Sequence, residues 1–294
     1  MKIRVSEYNL KSSKSGNSFN IALFSDIHYS GLNFNINKLN IIVQELEEAR
    51  PDFICIPGDF LDDAKAIDES IEFNDFLFRC SAIAPTILSI GNHDNRIIKD
   101  NKPKYVDITD FLEELKSIHN VYVLENKSIT INEVDFYGLY LPNNIYSESE
   151  DKYIDLATKY LKKHPIKFKN DTYNVLLSHV PTIFAENKIF KYIENVDLIL
   201  SGHMHNGGVP IGLDSFLKTD RGLISPGNKP FPKFARGTVK VNNKKTQLVI
   251  SKCVTMVQDC APSILKPLNV LYPINIEYIR VNRKYEKEKI DNII

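Results

Sequence analysis

The chain has 294 residues, and its 37 Lys and Arg balance 37 Asp and Glu, for a formal net charge of zero. Hydrophobic residues make up 43% and charged residues 25%, which excludes disorder as the default state and gives no electrostatic basis for bulk nucleic-acid binding. Four cysteines with no C-x-x-C pair exclude a disulfide framework at this length.

The opening stretch MKIRVSEYNLKSSKSGNSFN has no apolar leader. No run approaches the roughly 18–20 apolar residues of a membrane span, so a cytoplasmic chain without a transmembrane segment is expected. Ile21–Phe24 is a short apolar run ending in Ser25-Asp26. Asn37–Arg50 reads as an amphipathic helix, because Leu39, Ile42, Val43 and Leu46 recur at three- and four-residue spacing, and Pro51 stops it. Phe53–Ile56 is the next run, ending in Pro57-Gly58-Asp59; Cys55 inside it is expected in the core. The pattern predicts a helix over Asp68–Cys80, a strand over Thr86–Ile90 ending in Gly91-Asn92-His93-Asp94, and a helix over Tyr105–Ile118.

Strands are expected at Val121–Leu124, Ile129–Ile131 and Val134–Leu139, then a helix over Ser149–Lys163. Asn174–Leu177 runs into Ser178-His179, and Asp197–Leu200 into Ser201-Gly202-His203-Met204-His205. Asn206–Arg236 is rich in Gly and Pro without periodicity; a loop that long is usually functional. Further strands are expected at Gly237–Val241, Gln247–Ser251 and Ile274–Val281. No composition break divides residues 1–283, so one α/β domain followed by a polar tail over 284–294 is expected.

Five apolar runs thus end in polar clusters, and ligands in open α/β sheets bind beyond the carboxyl ends of strands. Five strands side by side would bring the clusters to one edge. They supply Asp26, His28, Asp59, Asn92, His93, His179, His203 and His205, which include five of the seven histidines. Carboxylate, imidazole and amide oxygen without thiolate suit Mn, Fe, Co, Ni or Zn. So many donors exceed the need of one tetrahedral ion and fit two ions about 3.5–4 Å apart, sharing a bridging carboxylate. Such a pair lowers the pKa of a bridging water and serves in-line attack on phosphorus.

The order D-x-H, G-D-x-x-D, G-N-H-D, a lone His and G-H-x-H resembles the calcineurin-like metallophosphoesterase family. Here it is carried by Asp26-Ile27-His28, Gly58-Asp59-Phe60-Leu61-Asp62, Gly91-Asn92-His93-Asp94, His179 and Gly202-His203-Met204-His205. The resemblance implies a four-layer α/β/β/α sandwich of two mixed sheets flanked by helices. It also implies two divalent ions, with Mn, Fe or Zn expected. One would take Asp26, His28 and His205, the other Asn92, His179 and His203, with Asp59 bridging. His93 would face the leaving oxygen of a phosphodiester or phosphomonoester, and Asp94 is expected to orient that imidazole and raise its pKa. Asp62 matches the family's second acidic position, where a supporting role is equally open. The stretches Gly202–Pro210 and Phe231–Gly237 are similar to the bacterial YkuE-like phosphodiesterase branch, with departures at Met204, Asn206 and Gly208.

The expected partner is a phosphorylated small molecule or nucleotide-like substrate. The 206–236 loop follows the last ligands and carries Lys218, Arg221, Lys229, Lys233 and Arg236 against Asp214 and Asp220. Asn206, Lys229 and Lys233 are its expected substrate contacts, and Arg96 is a separate phosphate contact. A nuclease, a phosphoprotein phosphatase and a catalytically silent metal-binding scaffold are the alternatives.

Overall fold

The computed structural model describes residues 2–100, 102–146, 150–214, 216–256 and 271–284. The expected tail after Lys284 and the cysteine at position 260 lie outside them. The strands are Ile3–Ser15 (β1), Phe19–Leu23 (β2), Phe53–Pro57 (β3), Thr86–Ser89 (β4), Arg96–Lys99 (β5), Lys102–Tyr105 (β6), Val121–Leu124 (β7) and Lys127–Ile131 (β8). They continue with Val134–Leu139 (β9), Ile166–Lys167 (β10), Tyr173–Ser178 (β11), Ile193–Glu194 (β12), Leu198–Ser201 (β13), Gly237–Val241 (β14), Thr246–Ile250 (β15) and Ile274–Lys284 (β16). The α-helices are Asn37–Ala49 (α1), Ile71–Ile83 (α2), Thr109–Ser117 (α3), Asn143–Tyr146 (α4) and Glu150–Lys163 (α5).

Two six-stranded mixed sheets form, in the orders β1-β16-β2-β3-β4-β7 and β14-β15-β13-β11-β9-β8. Strand alternation explains why they stack. In β2 and β3, Ile21, Leu23, Phe53 and Cys55 point to one face, and Ala22, Ile54 and Ile56 to the other. The first set meets Val175, Leu177, Leu198 and Leu200 of the second sheet in a core between the sheets. The second set packs against Leu39, Ile42 and Leu46 of α1 and Phe73, Phe76 and Leu77 of α2. On the far side, Leu176 and Ile199 pack against Ala157 and Leu161 of α5. Strands apolar on both faces require such double coverage, so the layers run α/β/β/α.

Some expectations are corrected. The five site-bearing strands do not lie in one sheet: β2, β3 and β4 belong to the first, β11 and β13 to the second. Burying both sheets' inner faces brings their carboxyl ends to the same end of the sandwich. The helix expected over Asp68–Cys80 starts at Ile71, because Asp63 caps a preceding 3₁₀ turn by accepting the Lys65 N–H at 2.8 Å. The helix expected from Tyr105 starts at Thr109, since Tyr105 pairs with Arg96 in the β5–β6 ribbon. Strand β1 was not anticipated. Cys55, Cys80 and Cys253 are buried free thiols. Among the described residues no helix is long and apolar enough to cross a membrane.

Candidate metal centre

The strand-end residues converge. Ligand atoms of Asp26, His28 and His205 lie within 4.8 Å of one another, and so do those of Asp59, His179 and His203. Asp59 stands between the groups: its Oδ2 is 3.0 Å from His179 Nε2 and 3.9 Å from His28 Nε2. His28 and His205 turn their Nε2 atoms toward each other at 3.2 Å, and His205 Nε2 is 3.5 Å from Asp26 Oδ1. Asn92 belongs to the same strand-end loop as His93, and its buried Oδ1 has no hydrogen-bond partner among the described residues. A buried oxygen left unpaired fits a lone pair reserved for a cation.

The backbone is bent to reach this arrangement. Asp26, His28, Asp59, His203 and His205 all have positive φ, between 46 and 69°. Such conformations are unfavourable for residues with a Cβ and persist only where the surroundings enforce them, typically at functional sites. The flanking glycines make room. A Cβ on Gly91 would strike the Asp59 carboxylate, and one on Gly202 would strike Ser25 Oγ and Asp26 Oδ2.

Supporting groups orient the imidazoles. His179 Nδ1 is 2.8 Å from the Pro57 carbonyl and His205 Nδ1 is 3.1 Å from that of Thr255. An Nδ1–H donated to a carbonyl leaves the Nε2 lone pair facing inward. Asp62 holds His28 from behind, with Oδ1 3.3 Å from Nδ1. Asp26 accepts the His203 N–H at 3.0 Å and is bonded by Ser25 Oγ.

The electrostatics call for positive charge. Burial opposes ionisation of Asp59, yet His179, His93 and His28 hold its carboxyl well below the usual range. Burial likewise opposes charge on His179, but Asp59 and Asp26 raise its pKa to about 9. His28 is raised against burial by Asp62, Asp59 and Asp26. Burial and His179 push His203 down to about 3, and burial and His28 lower His205. The buried carboxylates favour positive charge at His28 and His179, and a bound metal ion would supply such charge. The donor set and its geometry therefore fit divalent metal ions.

A cleft of about 490 Å³ opens beside this centre. Asn92, His93, Arg96, His203, Met204 and Lys229 line it. His93 Nδ1 is 2.7 Å from the Asp62 carbonyl, and Arg96 Nη2 lies 2.7 and 2.9 Å from the two ring nitrogens. Burial, His28 and Arg96 lower the His93 pKa to about 4, although Asp59 and the Asp62 carbonyl act in the opposite direction.

Three expected contacts are corrected. Asp94 does not orient His93: its buried carboxylate accepts the N–H groups of Gly91 at 2.6 Å, Leu61 at 2.9 Å and Asp59 at 3.1 Å. It braces the loops after β3 and β4, and burial beside Asp59 raises its own pKa to about 7. Asn206 is buried and does not line the cleft; its Nδ2 donates to the Val209 carbonyl at 2.6 Å and holds the turn that its positive φ begins. Lys233 is exposed and does not line the cleft, although its neighbour Pro232 does. Arg236 is no rim cation either. It is buried, with Nε and Nη2 donating to the carbonyls of Arg221 and Asp214 at 2.9 and 3.0 Å.

Sequence reading missed Thr255, whose carbonyl holds His205, and the cleft residues Tyr146, Tyr153, Thr182 and Ser225. None sits in a recurring motif.

The family described as calcineurin-like phosphoesterase matches residues 19–207, a span containing all seven candidate ligands. An uncharacterized metallophosphoesterase of Campylobacter jejuni is 26% identical over 195 residues, covering 64% of this chain and 44% of that one. A second, from Helicobacter pylori, is 26% identical over 191 residues, covering 64% and 45%. The matched stretch thus spans less than half the length of either relative. A third, from Aquifex aeolicus, is 25% identical over 245 residues, covering 76% and 80%. Among solved structures, a dimetal phosphatase of Danio rerio aligns with a TM-score of 0.41 at 11% identity, covering 79% of this chain and 86% of that one.

Proposed function

The chain belongs to the calcineurin-like phosphoesterase family, and on that premise we propose that it is a cytoplasmic, dinuclear-metal-dependent hydrolase of a phosphodiester or phosphomonoester, formed by one domain over residues 1–283. The position of Asp59 carries the reading: one carboxylate stands between two sets of inward-facing donors. Asp26, His28 and His205 would hold one divalent ion and Asn92, His179 and His203 the other, with Asp59 shared. Imidazole and carboxylate without thiolate favour Mn, Fe or Zn. When bound, such a pair supplies positive charge to the phosphoryl oxygens and makes water more acidic.

The chain's own residues supply the rest. His93 and Arg96 line the cleft next to Asn92 and His203, with Arg96 placed to meet a leaving oxygen with N–H donors and His93 beside it to carry a proton. The Asp62 carbonyl fixes the imidazole ring. Lys229 gives the cleft a further cation for an anionic substrate. Within the family, the stretches Gly202–Pro210 and Phe231–Gly237 support placement near the bacterial YkuE-like branch.

The test is reconstitution of metal-free protein with Mn, Fe, Co, Ni, Zn or Mg. Each form is assayed on bis-p-nitrophenyl phosphate and p-nitrophenyl phosphate beside Asp59→Asn and His93→Ala. Turnover by wild type, with both variants down by orders of magnitude, supports the proposal. Failure to bind any metal would sink it.

A further inference from the structure

The cleft has a wall that the hydrolytic chemistry does not use. Tyr146 of α4 and Tyr153 of α5 line the same cleft as His93, Arg96 and Lys229. Their rings lie 5.8 Å apart at 36°, and Tyr146 is backed by Tyr140 at 6.4 Å. Tyr140 is itself fixed, because its hydroxyl accepts from Asn95 Nδ2 at 2.8 Å and donates to Asn143 Oδ1 at 2.6 Å. Tyr153 is 5% exposed, and its hydroxyl is buried without a hydrogen-bond partner among the described residues.

A buried hydroxyl with nothing to bond costs free energy unless a ligand completes it. It is distinct from the unpaired Asn92 oxygen, since Tyr153 lies on the cleft and not among the ligand groups of the metal centre. Val180, Thr182, Met204, Pro226 and Pro232 line the same cleft. An alkyl chain would fill such a wall but leave the Tyr153 hydroxyl unpaired. A bare sugar would pair the hydroxyl but set its remaining polar groups against Val180, Met204 and the prolines. A flat group that carries polar edges satisfies both.

We propose that Tyr146 and Tyr153 form a leaving-group subsite for a nucleoside, with the base against the Tyr146 ring and a polar edge on the Tyr153 hydroxyl. This rests on the phosphoesterase reading and names its substrate class: a phosphate ester of a nucleoside. Base stacking on an aromatic side chain, and one hydrogen bond to a hydroxyl, are each strong enough to set such a preference.

The experiment is calorimetric titration of the Mn-loaded protein with inorganic phosphate, ethyl phosphate and adenosine and uridine monophosphates. Wild type, Tyr153→Phe and Tyr146→Leu are compared, each first shown to retain its Mn and its melting temperature. The nucleotides are expected to bind wild type about tenfold more tightly than ethyl phosphate. Tyr153→Phe should weaken nucleotide binding about three- to tenfold and leave phosphate and ethyl phosphate unchanged. Tyr146→Leu should act in the same sense. Nucleotides binding no better than ethyl phosphate overturn the subsite, and so does a Tyr153→Phe effect equal for all ligands. In either case phosphate binding and hydrolysis of bis-p-nitrophenyl phosphate still stand, so only the subsite falls. Absence of phosphate binding together with absence of hydrolysis overturns the phosphoesterase reading, and the subsite with it.

Discussion

The Asp94 carboxylate accepts the backbone N–H of Asp59 at 3.1 Å, so one buried acid fixes the main chain of another. The same carboxylate holds Gly91 and Leu61, which ties the β3 and β4 loops together. Replacing it with Ala leaves three buried N–H groups unpaired. Asp94→Ala is expected to lose about 2–4 kcal/mol of unfolding free energy in urea. Metal affinity should fall about 10- to 100-fold. A variant with unchanged stability and a lower kcat alone would instead return Asp94 to a role on His93.

Gly202 offers a more selective cut. A methyl group there meets Ser25 and Asp26 first. Gly202→Ala is therefore expected to fold, and to lose the ion at Asp26, His28 and His205 first. Metal analysis should show bound ions falling from two toward one per chain. Retention of both ions with full activity would contradict the ligand assignment.

Glu277, which is not itself a candidate ligand, sets a pH dependence of stability. It is fully buried on β16; burial, with Asp26 adding to it, raises its pKa to about 7 from an ordinary 4.5. The folded state therefore holds this proton more tightly than the unfolded chain. The stabilisation is complete below about pH 4.5 and is lost as pH rises through about 7. Glu277→Gln keeps the shape without the titration. Relative to wild type it should gain up to about 3 kcal/mol between pH 5 and 8. Parallel melting curves for the two proteins across that range would refute this.

At the opposite end of the sandwich, Lys14 of β1 reaches across to the second sheet. Its Nζ donates to the Thr172 carbonyl at 2.6 Å and to Asp197 Oδ2 at 2.7 Å. Both side chains are largely buried, so removing the cation strands a carboxylate. Lys14→Met should cost about 1–3 kcal/mol in a denaturant titration. The kcat should not change, because the strands' carboxyl ends lie far away.

Much of this was readable because the ligands sit where apolar runs stop. Phe53–Ile56 announces a buried strand, and Asp59 follows within a single turn. The same holds for Thr86 to Ile90 before Asn92, and for Leu198 to Leu200 before His203. What could not be read depended on distant contacts. Strand β1 alternates half-buried and exposed residues, and is defined by pairing with β16 near the other end of the chain. The side chain of Asp94 sits next to His93 in sequence, yet three N–H groups from two loops claim it. In the 206–236 loop, Lys229 and Lys233 look equivalent on paper. A turn in which Ser225 Oγ accepts the Lys229 N–H at 3.0 Å places only Lys229 on the cleft. Tyr146 lies outside the helix expected over Ser149–Lys163, and Tyr153 carries no signal beyond that helix's periodicity.

The pairing of β16 between β1 and β2 also orders events during synthesis. Strand β2 lies in the first tenth of the chain and leads directly into Asp26 and His28, but its neighbour on one side spans residues 274–284. Until the ribosome has released those residues, β2 presents an unsatisfied edge, and the loop behind it lacks its final support. A nascent chain stalled before residue 274 should therefore expose a sticky strand to chaperones, and should acquire metal poorly. Maturation of the centre thus waits for β16, although its first ligand, Asp26, lies far upstream in the chain.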